Sequence, residues 1–165
     1  MSRLSTFLWF NTEAEEAMNF YLSIFRDGKR GAARTYPDNV PGTGSKQPLA
    51  TFEFELDGMP IIALNAGPTD GFNERVSLFV ETTDQAETDY FWNALIADGG
   101  EEKPCGWLTD KFGVYWQVAP SILTRLTSDP DRTKARRALE AMYKMKKIVI
   151  ADLERAYAGE VENAA

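Results

Sequence analysis

Histidine is absent from the 165 residues. With it goes the side chain whose ordinary pKa lies nearest neutrality and which most often ligates transition metals. A Ser/His/Asp triad, a Cys/His pair and a His-ligated zinc are therefore excluded, and acid–base chemistry is left to Asp, Glu, Tyr, Lys or Cys in environments that shift their pKa values. Cysteine occurs once, as Cys105, which excludes an intrachain disulfide and a multi-cysteine zinc site and agrees with a reducing compartment. Apolar runs are short. None nears the roughly 20 residues of a membrane span, and Met1 to Thr6 lacks the regions of a signal peptide, so a cytoplasmic location with no membrane partner is expected. No Gly-x-Gly-x-x-Gly turn follows a strand and no phosphate loop ending Gly-Lys-Ser/Thr occurs, which disfavours nucleotide-cofactor folds. Gly42-Thr43-Gly44-Ser45 has two close glycines but no convincing helix after it.

What is present suffices for a core: 44% of residues are hydrophobic and 12% aromatic, enough for one sizeable core or two half-domains that share it. The formal charge of −7 and pI near 4.7 repel a phosphate backbone, so no nucleic-acid partner is expected. The local exception is the basic cluster Arg132, Lys134, Arg136, Arg137, Lys144, Lys146 and Lys147. It reads as a solvated helix face, available to acidic residues of a second subunit.

Along the chain, Ser5 to Phe10 suits a strand buried on both faces. Thr12 then stands three residues before Glu15 as in a capping box, and Ala14, Ala17, Met18, Tyr21, Ile24 and Phe25 recur at helical spacing up to a terminator at Gly28. A short strand around Arg30 to Tyr36 precedes a Pro- and Gly-rich loop, Pro37 to Lys46. Phe52, Phe54 and Leu56 alternate with polar residues, and Asp57-Gly58 turns the chain into Pro60 to Asn65 as a hairpin. After Ala66 to Asn73 the pattern restarts: a strand at Val76 to Val80, then Asp84 before Glu87, then an amphipathic segment ending at Gly99-Gly100. At an offset of 72, Ala14, Glu15, Phe20, Ile24 and Gly28 align with Ala86, Glu87, Trp92, Ile96 and Gly100. Such a repeat means that two copies share a core or a cleft. The second copy is trimmed, with an extended segment near Trp107 and a strand over Phe112 to Val118. Beyond Pro120 the chain turns helical, with Asp129 as N-cap and Pro130 at the first position. A further helix follows around Ile150, Leu153 and Tyr157, ending at Gly159. The organisation expected is a paired module over 1–120, with halves of about 1–68 and 72–120, a helical extension over 121–159, and a frayed tail over 160–165.

Several residues could carry chemistry. Glu53 and Glu55 face the same side of their strand, as paired carboxylates, hard-metal ligands or a solvated face. Cys105, beside Gly106 and Trp107, is a buried or inert thiol unless Lys103 or Lys111 activates it. Trp9, Trp107, Tyr115 and Trp116 are core aromatics or stacking surfaces for a planar ligand.

The string Cys105-Gly106-Trp107-Leu108-Thr109-Asp110-Lys111-Phe112-Gly113, continuing through Trp116-Gln117 to Pro120, resembles the signature of PhnB-like proteins. These form a branch of the glyoxalase/bleomycin resistance/dioxygenase, or vicinal-oxygen-chelate, superfamily. Leu8-Trp9-Phe10 with Ala14 to Tyr21, Ala63-Leu64-Asn65 with Gly67-Pro68 and Phe72-Asn73, and Ala141 to Lys147 extend the resemblance over most of the chain. It implies an α+β fold: two βαβββ modules forming a curved mixed sheet around a cleft, commonly completed by dimerisation, here with C-terminal helices added. In that superfamily metal ligands project from strands into the cleft. The usual last glutamate matches Gln117, and the first-strand position falls near Ser5 or Phe7. The resemblance also carries the label 3-demethylubiquinone 3-methyltransferase.

The reading that results is a homodimeric small-molecule-binding protein with no cofactor and no histidine-ligated metal. Trp9, Trp107 and Tyr115 supply apolar contact, Asn65, Ser77 and Gln117 orient polar groups, and Glu53 is the proton acceptor if chemistry occurs. The rivals are an enzyme of glyoxalase or methyltransferase type, with an oxygen-only cation site of Glu53, Asn65 and Gln117 as one variant, and a structural or regulatory dimer.

Overall fold

The computed structural model describes residues 4–37 and 49–160. The expected Pro37 to Lys46 loop, apart from Pro37, and the tail beyond Glu160 lie outside the described residues. The chain divides into two compact units, Met1–Gly71 and Phe72–Ala165. Among the described residues no helix is long and apolar enough to cross a membrane.

The first unit runs β1 (Thr6–Phe10), α1 (Ala14–Ile24), β2 (Lys29–Thr35), β3 (Ala50–Leu56) and β4 (Met59–Asn65). Its sheet has the order β1-β4-β3-β2, with β1 parallel to β4 and the other pairs antiparallel. Asp57 and Gly58 both take positive φ, 47° and 80°, which is what a tight hairpin with right-handed strand twist demands. The helix covers one face. Tyr21, completely buried, stacks on Phe54 with ring centroids 6.2 Å apart, and Leu8, Phe10, Met18 and Ile61 complete the core.

Two local expectations change. β1 is buried on one face only, because Phe7 and Trp9 point away from the helix and stay 56% and 44% exposed. Thr12 does not cap α1; Glu13 holds the cap position and its carboxylate turns back to accept the Thr12 N–H. The orphan Ala14 N–H donates instead to Asn65 Oδ1, 2.8 Å away at the end of β4. A long-range acceptor thus replaces the local one.

The second unit repeats the order: β5 (Leu78–Thr82), α2 (Gln85–Leu95), β6 (Glu101–Glu102), β7 (Trp107–Thr109) and β8 (Tyr115–Pro120). Its sheet is β5-β8-β7-β6, again with one parallel pair, β5 with β8. β1 and β5 are related by the same offset of 72 that aligns the sequence. The α+β class and its two βαβββ modules are therefore present, each with its own four-stranded mixed sheet. Here the capping residue is local: Asp84 Oδ1 accepts the Glu87 N–H, and Glu87 Oε2 accepts from Thr83 N–H.

The signature string forms the β7–β8 hairpin and its anchors. Asp110 is 3% exposed. Its Oδ1 accepts the N–H groups of Phe112 and Val114, and its Oδ2 accepts the indole N–H of the buried Trp116 at 2.8 Å. At the other end, Cys105 and Gly106 take φ of 62° and 81°, and their N–H groups donate to the carbonyls of Met145 and Lys146. A Cβ on Gly106 would lie 2.9 Å from the Val118 carbonyl oxygen, so this turn requires glycine.

Those carbonyls belong to the helical extension, α3 (Ser121–Thr127), α4 (Arg132–Lys144) and α5 (Ile150–Ala158). The α4 N-cap is Asp131, not Asp129: Asp131 Oδ1 accepts from Thr133 and Lys134, whereas Asp129 Oδ2 accepts the Tyr157 hydroxyl. Gly159, at φ 85°, ends α5 as expected. Leu126, Ala138, Ile148 and Leu153 form the extension's own core. It is tied to α2 through Gln85, which donates to the Ile148 carbonyl and accepts the Ile150 N–H, and through Lys147 to Asp89 at 2.6 Å. The basic cluster is thus partly consumed within the chain, since Lys146 also pairs with Glu102 and Arg137 donates to the Ala156 and Tyr157 carbonyls.

Asp110→Asn replaces an acceptor facing the Trp116 indole by an amide; a loss of about 2 kcal/mol or more in urea unfolding is expected. Ile148→Ala is expected to cost about 2–5 kcal/mol by the same measurement. The Asp89 carboxyl is held below its ordinary value, first by the hydrogen bond from Lys147 and then by that from Gln85. A depressed folded value stabilises the fold above the unfolded pKa, and this contribution is lost as pH falls through the folded one. Lys147→Met should therefore move the Asp89 titration, followed by carboxyl NMR, up toward the ordinary aspartate range.

Candidate functional site

Alternation along the strands and the registers fix what each sheet presents away from its helix. In the second unit Gln117 stands between Phe79 and Trp107, and Tyr115 stands opposite Thr109. Ser77, one residue before β5, lies on the same side, and its Oγ accepts from Gln117 Nε2 at 2.8 Å. Ser77, Trp107, Tyr115 and Gln117 therefore share one face of one sheet. Phe79 joins them, 55% exposed. Lys103 closes the far edge: its N–H donates to the Trp107 carbonyl, and its Nζ lies 5.6 Å from the Tyr115 ring centroid and 3.3 Å from Glu101 Oε2.

The first unit presents a different surface. Phe7, Ile62 and Glu53 form one transverse row, and Trp9, Leu64, Thr51 and Arg34 the next. Trp9 Nε1 donates to the Gly67 carbonyl at 3.1 Å, which fixes the indole against the sheet end. Glu53 is ion-paired with Arg34 of the wholly exposed edge strand β2, and Glu55 with Lys29. Both glutamates face the same way, as alternation requires. The β2 bulge between Arg30 and Ala33 brings Gly31 so near β3 that a Cβ there would lie 2.9 Å from the Glu53 carbonyl oxygen.

Asn65 lies on the opposite, helix-covered face, level with Phe10 and Ala50, with Oδ1 given to the α1 N-terminus. Glu53 and Asn65 are thus on opposite sides of the same sheet. The strand-centre rows that would present metal ligands hold Phe7, Ile62 and Glu53 in one unit and Phe79, Gln117 and Trp107 in the other. No three His, Cys, Asp or Glu side chains come together among the described residues. Neither row by itself supplies three ligands of that kind for a divalent ion. Cys105 is half-buried, with its N–H bonded to the extension.

Glu101 and Phe79 were not singled out by the sequence, and Lys103 was named there only as a possible activator of Cys105. β6 has only two residues, too few for alternation to be read, and Phe79 passes for core until β5 is seen to be covered on one side. An available signal was the 72-residue offset, which pairs Phe79 with Phe7.

Two βαβββ modules with this strand order define the vicinal-oxygen-chelate fold. The fosfomycin resistance protein FosX of Mesorhizobium loti shares it, with TM-score 0.50 at 12% identity over 70% of this chain and 88% of that one. Within that fold the chain belongs to the 3-demethylubiquinone-9 3-methyltransferase family, whose model matches residues 2–119. A PhnB protein from Bacillus cereus is 30% identical over 73% of this chain and 100% of that one, with TM-score 0.61. A Pseudomonas aeruginosa protein, PA1353, is 22% identical over 73% and 98%, with TM-score 0.59. No curated protein sequence matches the chain.

The capping geometry gives a test for Asn65. Asn65→Ala should cost about 1 kcal/mol of stability without any ligand, while Asn65→Asp keeps the acceptor and most of that stability, both read by urea unfolding.

Proposed function

We propose that the chain is a small-molecule-binding protein of its family, without a histidine-ligated metal, whose ligand lies on the outward face of the second sheet. The observation that carries this reading is the Ser77–Gln117 hydrogen bond flanked by Trp107 and Tyr115. A polar pair between two large ring surfaces offers both orientation and apolar contact, the combination that small-molecule sites use. The pair engages one Nε2 hydrogen of Gln117 and leaves Oε1 to accept from a ligand.

A second copy of the chain is part of the same proposal. Phe7 and Trp9 remain exposed beside Ile62 and Leu64, an aromatic surface that association would remove from water.

Tyr115→Ala and Gln117→Ala are expected to abolish the thermal stabilisation given by whichever compound of a metabolite panel stabilises the wild type, with unchanged unliganded melting within a few degrees. Undiminished stabilisation in both variants removes the second-sheet face from consideration. Sedimentation at micromolar concentration is expected to give a dimer, and a Phe7→Ser, Trp9→Ser variant a monomer.

A further inference from the structure

We propose that this face takes a planar aromatic carboxylate, and that Lys103 is the residue that selects the anionic end. The inference rests on the ligand face proposed above and adds to it a ligand class and a recognition residue.

Lys103, one residue past β6, continues the transverse row Trp107, Gln117, Phe79 that crosses the sheet to β5. Neighbouring strands lie about 4.8 Å apart, so Trp107 and Phe79 are separated by about 10 Å with Gln117 between them. That span suits a bicyclic ring laid along the row. A cation, Lys103, stands at the β6 end. Lys103 has a side chain 29% exposed, its ammonium lies 5.6 Å from the Tyr115 ring centroid, at cation–π range, and its backbone is fixed by the hydrogen bond to Trp107.

The carboxylate that Lys103 now meets belongs to Glu101, whose side chain is 74% exposed. Such a solvated pair contributes little. A ligand carboxylate at the same ammonium would be partly desolvated by Trp107 and Tyr115, and its interaction is correspondingly stronger. Exchange of Glu101 for the ligand's carboxylate therefore favours the anion over a neutral isostere of the same ring. One ammonium favours a monoanion.

The test is calorimetric titration of the full chain with 2-naphthoate and 2-naphthamide. The acid should bind about tenfold tighter than the amide, a difference of about 1.4 kcal/mol. Lys103→Met should bring that ratio near one while leaving the amide's affinity within about twofold, and Lys103→Arg should restore the preference for the acid. Equal binding of both probes to the wild type, or a preference that survives Lys103→Met, overturns the role of Lys103. No binding of either probe overturns the ligand class. The face itself is judged separately, by whether Tyr115→Ala and Gln117→Ala weaken whatever binds.

Discussion

The second unit depends on one carboxylate that has left water. Asp110 is almost completely buried, and a buried charge without donors would be prohibitive. It is met by two backbone N–H groups of its own turn and by the indole of Trp116. The backbone bonds close the β7–β8 hairpin, and the indole bond locks the central strand of the sheet against the turn. Trp107, Tyr115 and Gln117 all ride on those two strands, so their common face follows from a hydrogen-bond requirement on its far side. Trp116 serves the core and leaves its neighbours Tyr115 and Gln117 facing out.

A second constraint reaches the same hairpin from the extension. The positive φ values of Cys105 and Gly106 turn two successive N–H groups toward the Met145 and Lys146 carbonyls. The family match stops at residue 119, yet the helices beyond it are bonded to the residues that introduce Trp107. The extension is therefore part of what holds the second sheet's edge. Two of its basic residues, Lys146 and Lys147, are spent on that attachment, and Arg137 on bonds within the extension.

Comparison of the two halves shows how one fold diverges at constant geometry. Equivalent strand centres carry Phe7, Ile62 and Glu53 in one unit and Phe79, Gln117 and Trp107 in the other. The first face is apolar on β1 and β4 with its charges on β3 and β2, and the second interleaves rings with an amide, a hydroxyl and an ammonium. Helix capping diverges too. α2 is capped by Asp84, three residues before Glu87, whereas α1 relies on Asn65 from a strand 51 residues further along.

Much of this was legible in the residues. The Asp57-Gly58 hairpin, the Asp84 cap, the Gly159 terminator and the 72-residue repeat follow from rules that act over a few positions, and the absence of histidine closes off whole classes of chemistry by itself. The Thr12 and Asp129 caps were misplaced because a local pattern competes with acceptors or donors that are near only in space: Asn65 takes the first N-terminus, and Tyr157 takes the Asp129 carboxylate. Strand facing had the same limit. Which side of β1 or β5 is covered depends on where the helix returns, so the exposure of Phe7, Trp9 and Phe79 shows only once the sheet is assembled. The sequence by itself determined the repeated module, the elements and the available chemistry, because these rest on side-chain type and short-range periodicity. Only the tertiary structure decided that Asn65 is a cap, that Glu53 is ion-paired, and that Lys103 joins Trp107, Tyr115 and Gln117, because strand register brings together residues whose separation along the chain carries no signal.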